Sequence, residues 1–300
     1  MNNNYFKEIE DVIKRNLAQR GMDKINLVGE LEKASRSLLT SKTILIVTGF
    51  VVKDKLIGET DGPIGAISLA SSLEKLGKKV ILITDKYSED MLYNCRITKG
   101  IKAPIEIIPY KESKGFCENL LQKYKPTHVI AIERPGRAKD GRCYSMRGED
   151  LSDMVPDTDI LFKRAKELGF VTIAIGDGGN EIGMGKVSSF VRDSVDKGEK
   201  ICAVTSTDYL IVAGVSNWGG HGLSAALSIM TNSMLLHDKK TETQILKCMV
   251  ESGAVDGCSK ANTMTVDGLS LYENLDVVKK LRSIVELELN IIEENKIHIM

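Results

Sequence analysis

The segment 176–185, with the sequence GDGGNEIGMG, holds five glycines, two carboxylates and one amide. It follows an apolar run at 170–175 that predicts a buried strand. Glycine lets the backbone adopt positive φ angles and approach a ligand closely. Asp177, Asn180 and Glu181 supply oxygen atoms that suit a hard cation or a polar substrate. We therefore interpret the segment as a binding site rather than as a turn whose aspartate caps a helix.

Neither of the common nucleotide-binding glycine loops matches this segment. A P-loop requires a serine or threonine after its Gly-Lys pair, but Val187 follows Gly185-Lys186. Glu181 stands where the dinucleotide-binding pattern requires its third glycine, and its carboxylate would repel a pyrophosphate. Nucleotide binding by either loop is therefore not expected.

The composition excludes several classes of partner. Lysine plus arginine number 41 and aspartate plus glutamate number 41, so no net charge attracts nucleic acid or an anionic membrane. No apolar run is long enough to span a bilayer, and the first residues lack the apolar segment of a signal peptide. We expect a cytoplasmic protein that binds neither nucleic acid nor membrane. Assembly into a homo-oligomer is compatible with these features.

The cysteines and histidines indicate no transition-metal site. The chain has six cysteines, of which none forms a Cys-x-x-Cys pair, and no histidine lies at zinc-finger spacing. We therefore expect reduced thiols and disfavour zinc. Among the histidines, only His221, in a glycine-rich stretch interpreted as a loop, is a candidate for binding substrate; a structural role for it is equally compatible.

Apolar runs that predict strands alternate with helical patterns through the middle of the chain. This alternation is typical of βαβ units and a parallel sheet. We expect one domain over residues 1–300, with a doubly wound, mostly parallel, Rossmann-like α/β sheet and helical N- and C-terminal segments. The predicted strands are 43–47, 79–84, 105–109, 128–132, 170–175 and 209–213; the clearest predicted helices are 5–20, 63–76, 156–169 and 271–295.

Several carboxylates follow these strands. In open α/β sheets, ligands bind beyond the carboxyl ends of the strands, so these side chains should meet at one edge. Converging carboxylates need a cation or shared protons, and oxygen ligands suit Mn²⁺, Mg²⁺ or Ca²⁺. We expect Asp177 and Glu181 to bind a divalent cation, with Glu59 or Asp61 completing the site. Asp61 is equally suited to cap the helix that starts at Pro63.

Arginines provide candidate anion-binding groups near the same edge. A guanidinium group pairs bidentately with carboxylate or phosphate. Arg134 and Arg137 follow a strand within a Pro-Gly turn, so we expect one of them to clamp a substrate anion. Arg142 and Arg164 are interpreted as solvated surface residues.

Five motifs, in order along the chain, resemble the C-terminal domain of D-glutamate cyclases. They are TGF at 48–50, ETDGP at 59–63, ERPGR at 133–137, YSMRG at 144–148 and the glycine-rich segment at 176–185. The resemblance implies a carbon-oxygen hydro-lyase that interconverts D-glutamate and 5-oxo-D-proline, or a close analogue, and uses a divalent metal such as Mn²⁺. For that reaction we assign catalytic roles to Glu133, Asp61 and Asn180. The candidate substrate-binding residues are Thr48, Arg134, Arg137, Arg147, Gly178, Gly179, Asn217 and His221.

Two other functions are compatible with the same residues. An acidic, glycine-rich edge with arginines also suits a divalent-metal-dependent phosphohydrolase or phosphotransferase that acts on a small metabolite. A non-catalytic module that binds a metal or a metabolite is the third possibility.

Overall fold

Parallel strands rich in isoleucine and valine form the centre of the fold. The computed structural model describes residues 4–297, with side chains for residues 5–290, and in this part of the chain the central sheet has six strands. In chain order the strands are β1 (Thr43–Thr48), β2 (Val51–Val52), β3 (Ile57–Gly58), β4 (Lys79–Thr84), β5 (Ile105–Ile107), β6 (His128–Ile132), β7 (Val171–Gly176), β8 (Tyr209–Val212), β9 (Thr265–Val266) and β10 (Leu269–Ser270).

The central sheet has the order β5-β4-β1-β6-β7-β8, and all neighbouring strands in it are parallel. The order reverses between β1 and β6, so the loops that follow these two strands diverge and leave a crevice. The strands β2 and β3 form a short antiparallel hairpin after β1, and β9 and β10 form another near the C-terminus. The predicted doubly wound α/β fold is confirmed.

Helices cover both faces of the sheet. They are α1 (Asn4–Ile13), α2 (Glu30–Leu39), α3 (Pro63–Lys75), α4 (Glu89–Lys99), α5 (Ser113–Tyr124), α6 (Asp159–Glu167), α7 (Ser188–Ser194), α8 (Gly198–Ile201), α9 (Ser216–Met230), α10 (Lys239–Glu251) and α11 (Leu271–Ile297).

Alternate residues of each strand enter opposite cores. Ile44 and Ile46 of β1 belong to the core that also contains residues of α1, α3, α9, α10 and α11, whereas Leu45 and Val47 belong to the core that contains residues of α5 and α6. Because both faces are covered, the strands read as continuous apolar runs rather than as alternating ones. None of the helices within residues 4–297 combines the length and apolar character needed to cross a bilayer.

The predicted N-terminal helix over 5–20 is shorter in the structure. The helix α1 ends at Ile13, and Asn16 adopts a left-handed conformation with φ of 64°. A 3₁₀ turn at Leu17–Arg20 follows it. This break matters because it directs Arg20 towards the carboxyl ends of the strands, where the candidate site lies.

Candidate active site

A cavity of about 120 Å³ opens where the loops after β1, β6 and β7 meet a loop from the C-terminal part of the chain. Its volume is well below the roughly 300 Å³ at which pockets for drug-sized ligands begin, so it suits a small metabolite. Its lining includes Arg20, Phe50, Val51, Val52, Lys53, Glu59, Glu133, Ser145, Met146, Arg147, Glu149, Asn180, Gly257, Cys258, Lys260 and Asp267.

Largely buried carboxylates cluster next to this cavity, and Glu59, Glu133 and Asp267 of this cluster line it. Ligand atoms of Asp61, Asp177 and Asp267 lie within 4.8 Å of one another, and so do those of Glu133, Asp177 and Glu181. Burial, followed by the charges of neighbouring carboxylates, raises the pKa of Glu59, Asp61 and Glu133 well above the usual range. The predicted convergence of carboxylates from separate loops is therefore present, and it requires protons or a cation.

Arg20 is the counter-ion that the structure places in the cluster. Its Nη2 atom lies 2.8 Å from Asp267 Oδ2 and 3.3 Å from Asp177 Oδ2. Neither contact has hydrogen-bond geometry, so both oxygens are buried without a hydrogen-bond donor among the described residues. Burial raises the pKa of Asp177 even though Arg20 opposes the shift. One guanidinium therefore leaves the negative charge of the cluster uncompensated, and the oxygen-rich donor set fits a hard divalent cation.

Asp61 joins the starts of two helices. Its carboxylate accepts hydrogen bonds from the backbone N–H groups of Gly62 (2.9 Å), Ser216 (2.8 Å) and Asn217 (2.8 Å). The last two are the first residues of α9, so Asp61 caps α9 rather than α3. Negative charge is favourable at a helix N-terminus, which helps to hold this carboxylate in a buried place.

Asn217 makes the reciprocal connection. Its Oδ1 atom accepts from the backbone N–H groups of Gly62 (3.0 Å) and Gly65 (2.7 Å) at the start of α3, and its Nδ2 atom donates to the carbonyl of Thr60 (3.0 Å). These bonds use both ends of the amide. The residue predicted to bind substrate therefore holds α3 and α9 together and does not line the cavity.

Glu181 fixes the glycine-rich loop. Its carboxylate accepts from the backbone N–H groups of Asp177 (2.9 Å), Gly178 (2.6 Å) and Gly179 (2.6 Å). The two glycines give these N–H groups to Glu181 and do not line the cavity. A Cβ atom at Gly179, where φ is 118°, would lie 2.6 Å from Val191 Cγ1, which explains the need for glycine there.

Glu133 stands directly after β6 in a strained conformation, with φ of 46°. Such angles are uncommon for residues other than glycine and cluster at functional sites. Ser216 Oγ donates to Glu133 Oε2 at 2.6 Å, and the side chain lines the cavity. A buried carboxyl with a raised pKa, open to the cavity, is suited to carry a proton.

Asn180 also lines the cavity. Its Nδ2 atom donates to the carbonyl of Tyr144 at 2.7 Å, while its Oδ1 atom is buried with no donor among the described residues. A buried acceptor without a partner costs free energy unless a ligand supplies the donor. Thr48 Oγ1 is likewise buried without a partner in the described part of the chain, but it lies behind Gly62, away from the cavity lining.

The two arginines predicted to clamp an anion lie outside the cavity lining. Arg134 is fully buried and donates to Asp85 (2.5 Å), to the Gly49 carbonyl (3.0 Å) and to Thr158 (2.9 Å), which ties the ends of β1, β4 and β6 together. Arg137 pairs with Asp157 at 3.1 Å and donates to the carbonyl of Gly141 at 2.7 Å.

Arg147, by contrast, lies at the mouth of the cavity. Its Nη2 atom donates to the carbonyl of Cys258 at 2.5 Å, and the side chain is exposed. Lys53 and Lys260 line the same mouth, and Lys260 pairs with Asp54 at 2.5 Å and more loosely with Glu149 at 3.5 Å. These cations attract anions to an otherwise acidic cavity.

The loop over residues 256–268 was not predicted as part of the site. Asp256 is fully buried and accepts from the backbone N–H groups of Cys258 (2.9 Å), Ser259 (2.8 Å) and Gly268 (2.8 Å), which folds the loop over the cavity. Asp267 then enters the acidic cluster with φ of 54°. Two Asp-Gly pairs, at 256–257 and 267–268, were available as turn signals in the sequence, but they do not reveal which strand ends the loop will reach.

His221 lies away from the cavity, and the expectation of a loop around it is wrong. Residues 216–230 form α9, whose glycines allow close packing: a Cβ atom at Gly220 would lie 2.6 Å from the Gly65 carbonyl oxygen of α3. His221 contacts Glu242, which also contacts His237, and the three offer ligand atoms within 4.8 Å of one another. The inference that the chain has no histidine cluster therefore fails, because these residues are distant in sequence.

Comparisons with known proteins agree with the motifs. The model of the family described as "D-glutamate cyclase-like, C-terminal" matches residues 9–282. Human mitochondrial D-glutamate cyclase is 32% identical over 314 aligned positions, which include 92% of this chain but 51% of the human protein. This chain therefore spans about half the length of that relative.

A solved structure of an exopolyphosphatase-related protein from Bacteroides fragilis overlaps with 89% of this chain and 61% of its own. Its TM-score of 0.41 and identity of 12% are too low to support any statement on function. The family match, in contrast, covers nearly all of the described residues. The chain belongs to the D-glutamate cyclase-like, C-terminal family.

Proposed function

We propose that this protein interconverts D-glutamate and 5-oxo-D-proline, and that it does so with a divalent cation. The observation that carries the proposal is the cluster of largely buried carboxylates next to a cavity of about 120 Å³, in which two oxygens have no hydrogen-bond donor among the described residues. The membership of the chain in the D-glutamate cyclase-like family and the activity for which its human relative is named suggest the substrate.

Asp61, Asp177 and Asp267 would hold the cation, with Glu59 beside them. They come from three separate loops, with Glu59 and Asp61 together in the loop between β3 and α3, so the folded state assembles the site. When bound, the cation would polarise a carboxyl oxygen of the substrate and stabilise negative charge on it. Mn²⁺ and Mg²⁺ are the ions that best suit carboxylate oxygens, and Ca²⁺ is a further candidate. In this assignment Glu181 orders the loop that presents Asp177 and stands next to the cation.

Glu133 is the candidate proton carrier. In ring closure the α-nitrogen of D-glutamate forms a bond with the γ-carboxyl carbon, the bond from that carbon to one oxygen breaks, and water leaves. Two protons must move from the ammonium nitrogen to the departing oxygen, and Glu133 would accept each in turn and return it, so no net proton is consumed. Its raised pKa favours the first transfer, and Ser216 fixes its orientation. The reverse reaction uses the same groups.

The charged groups of the substrate would contact residues that line the cavity. The unpartnered Oδ1 atom of Asn180 accepts from the ammonium group, and Arg147 with Lys260 at the mouth binds the α-carboxylate. Arg147 thus replaces Arg134 and Arg137 as the favoured clamp, since Arg147 lines the cavity and the other two do not.

A chiral assay tests the proposal. Protein loaded with Mn²⁺ is incubated separately with D-glutamate, L-glutamate and both enantiomers of 5-oxoproline, with and without a chelator, and the products are separated by chiral chromatography. We expect turnover of the D-enantiomers that the chelator abolishes. A generic phosphate ester serves as a further substrate. Turnover of the ester alone, or of nothing, would contradict the cyclase activity and favour the phosphate-transfer or binding-module alternatives.

A further inference from the structure

A second group of metal-ligating side chains, separate from the acidic cluster, connects α9 to the start of α10. It consists of His221 on α9, His237 before α10 and Glu242 in the first turn of α10, which we call the α9–α10 triad. The relative exposures of the three residues are 0%, 5% and 3%. No residue of the triad lines the cavity described above. The reaction proposed for that cavity makes no use of the triad.

The geometry of the triad resembles that of a metal site. Glu242 Oε1 lies 3.2 Å from His221 Nε2, Glu242 Oε2 lies 2.5 Å from His237 Nε2, and the three residues offer ligand atoms within 4.8 Å of one another. Two ligands that each bind a tetrahedral zinc ion at about 2.1 Å lie about 3.4 Å apart. The first pair already has that separation, and a small rotation of the Glu242 carboxylate would provide it for the second.

The charge of the triad also favours a cation. Glu242 is buried, and its carboxylate oxygens contact the imidazoles of His221 and His237. Lys99 interacts electrostatically with Glu242, but among residues 5–290 no lysine or arginine forms an ion pair with it. A buried carboxylate in contact with two imidazoles is compensated well by a metal ion.

We propose that His221, His237 and Glu242 form a second cation site, selective for Zn²⁺ or a similar borderline ion, which fastens α9 to α10. Two imidazole nitrogens and one carboxylate oxygen are donors that zinc favours over Mg²⁺ or Mn²⁺. A water molecule would complete a four-coordinate site. The two sites of the molecule therefore differ in metal preference, because the first offers oxygen alone.

A metal at the triad would support the first site through α9. His221 lies five residues after Ser216, about 7.5 Å along the helix axis. Ser216 and Asn217 at the start of that helix bind Asp61, and Ser216 also binds Glu133. Fixing α9 against α10 would therefore fix the backbone groups that orient these two carboxylates.

Cobalt provides the spectroscopic test, because four-coordinate Co²⁺, as expected in a zinc-type site, gives much stronger visible bands than six-coordinate Co²⁺, as expected in a site of oxygens alone. Wild-type protein is titrated with Co²⁺ and, separately, with Zn²⁺ while thermal unfolding is followed. We expect visible bands and a raised unfolding temperature, both retained in Asp177→Asn. In His237→Asn and Glu242→Gln, whose side chains are close in size to the originals, Zn²⁺ affinity should fall by more than about 100-fold, beyond the loss typical for residues that only orient ligands.

The control for adventitious binding is Cys248→Ser. Hydrogen bonds with Cys95, Thr98 and Ser252 lower the pKa of Cys248 to about 6, although burial opposes this change. The Cys248 thiolate is therefore the strongest competing zinc ligand on α10. The visible bands should persist in this variant, without the near-ultraviolet absorption of a cobalt–thiolate bond. Absence of the bands in folded wild-type protein, or their loss in Cys248→Ser but not in His237→Asn, would overturn the proposal and leave the triad as a hydrogen-bonded buried ion pair.

Discussion

At the scale of single residues, a substitution of Glu133 should lower activity without lowering stability. Replacing it with glutamine removes a buried carboxyl whose pKa burial raises, but keeps an acceptor for Ser216 Oγ. We expect Glu133→Gln to lower kcat by roughly 10²- to 10⁴-fold, as is typical for loss of a general acid or base, while the melting temperature stays equal or rises. Ser216→Ala is the control and should lose less activity. An active Glu133→Gln enzyme would remove Glu133 from the mechanism.

Substitutions of Arg134 and Arg147 should likewise separate an effect on stability from an effect on activity. Arg134→Lys should destabilise the fold by about 3 kcal/mol or more, because lysine cannot replace the donors to Asp85, Thr158 and the Gly49 carbonyl in a fully buried place. Arg147→Lys should leave the free energy of unfolding unchanged and raise KM. Denaturant titration and steady-state kinetics on the two variants distinguish these effects. The opposite pattern would return the clamp to Arg134.

His128 provides a pH-dependent contribution at the far end of β6 from the site. Burial, aided by Lys78, lowers its pKa to about 4, while the unfolded chain keeps the ordinary value of 6.5. Between pH 6.5 and pH 4, the unfolded state therefore binds a proton that the folded state does not bind. As the pH drops through this range, the free energy of unfolding falls by up to about 3 kcal/mol. Denaturant titration of wild type and His128→Asn should give curves that diverge in this window. Parallel curves would show that His128 does not cause the loss.

At the scale of elements, the crossing of α3 and α9 depends on Gly220. A Cβ atom there would lie 2.6 Å from the Gly65 carbonyl oxygen, which belongs to the backbone and cannot yield easily. We expect Gly220→Ala to cost about 1–3 kcal/mol and to separate the helix starts that Asp61 and Asn217 join. The control is Gly115→Ala in α5, where no atom lies within 4 Å of the added Cβ. That change should stabilise the protein slightly, by up to about 1 kcal/mol. Equal effects of the two changes would contradict the packing argument.

The strands could be predicted because the central sheet is covered on both faces, so runs such as 43–47 and 128–132 are apolar throughout. The carboxylates at strand ends followed from the rule for ligand sites in such sheets. Other features depend on tertiary packing. Glycines that suggested a loop around His221 instead permit a close helix crossing. Arg20 and Asp267 are brought to the site by a broken helix and a distant turn, which no local pattern specifies.

At the scale of the whole molecule, the acidic cluster joins distant parts of the chain. Arg20 comes from the N-terminal region, Asp61 and Asp177 follow β3 and β7, and Asp267 precedes β10. These segments move apart when the protein unfolds, so a cation bound there should bind the folded state selectively. Linkage then predicts a gain of about 2.7 kcal/mol in the free energy of unfolding when Mn²⁺ is present at 100 times its dissociation constant.

Calorimetric titration and thermal unfolding with Mn²⁺ measure this gain. Asp177→Asn and Asp267→Asn should each abolish most of it, although both should raise the stability of the metal-free protein by removing a charge from a crowded cluster. The matched control is Asp90→Asn on the exposed face of α4, where the gain should match that of the wild type. Stabilisation by Mn²⁺ that is equal in all four proteins would place the cation elsewhere. If instead the Asn variants lose stability without Mn²⁺, their ion pairs with Arg20 outweigh the repulsion among the carboxylates.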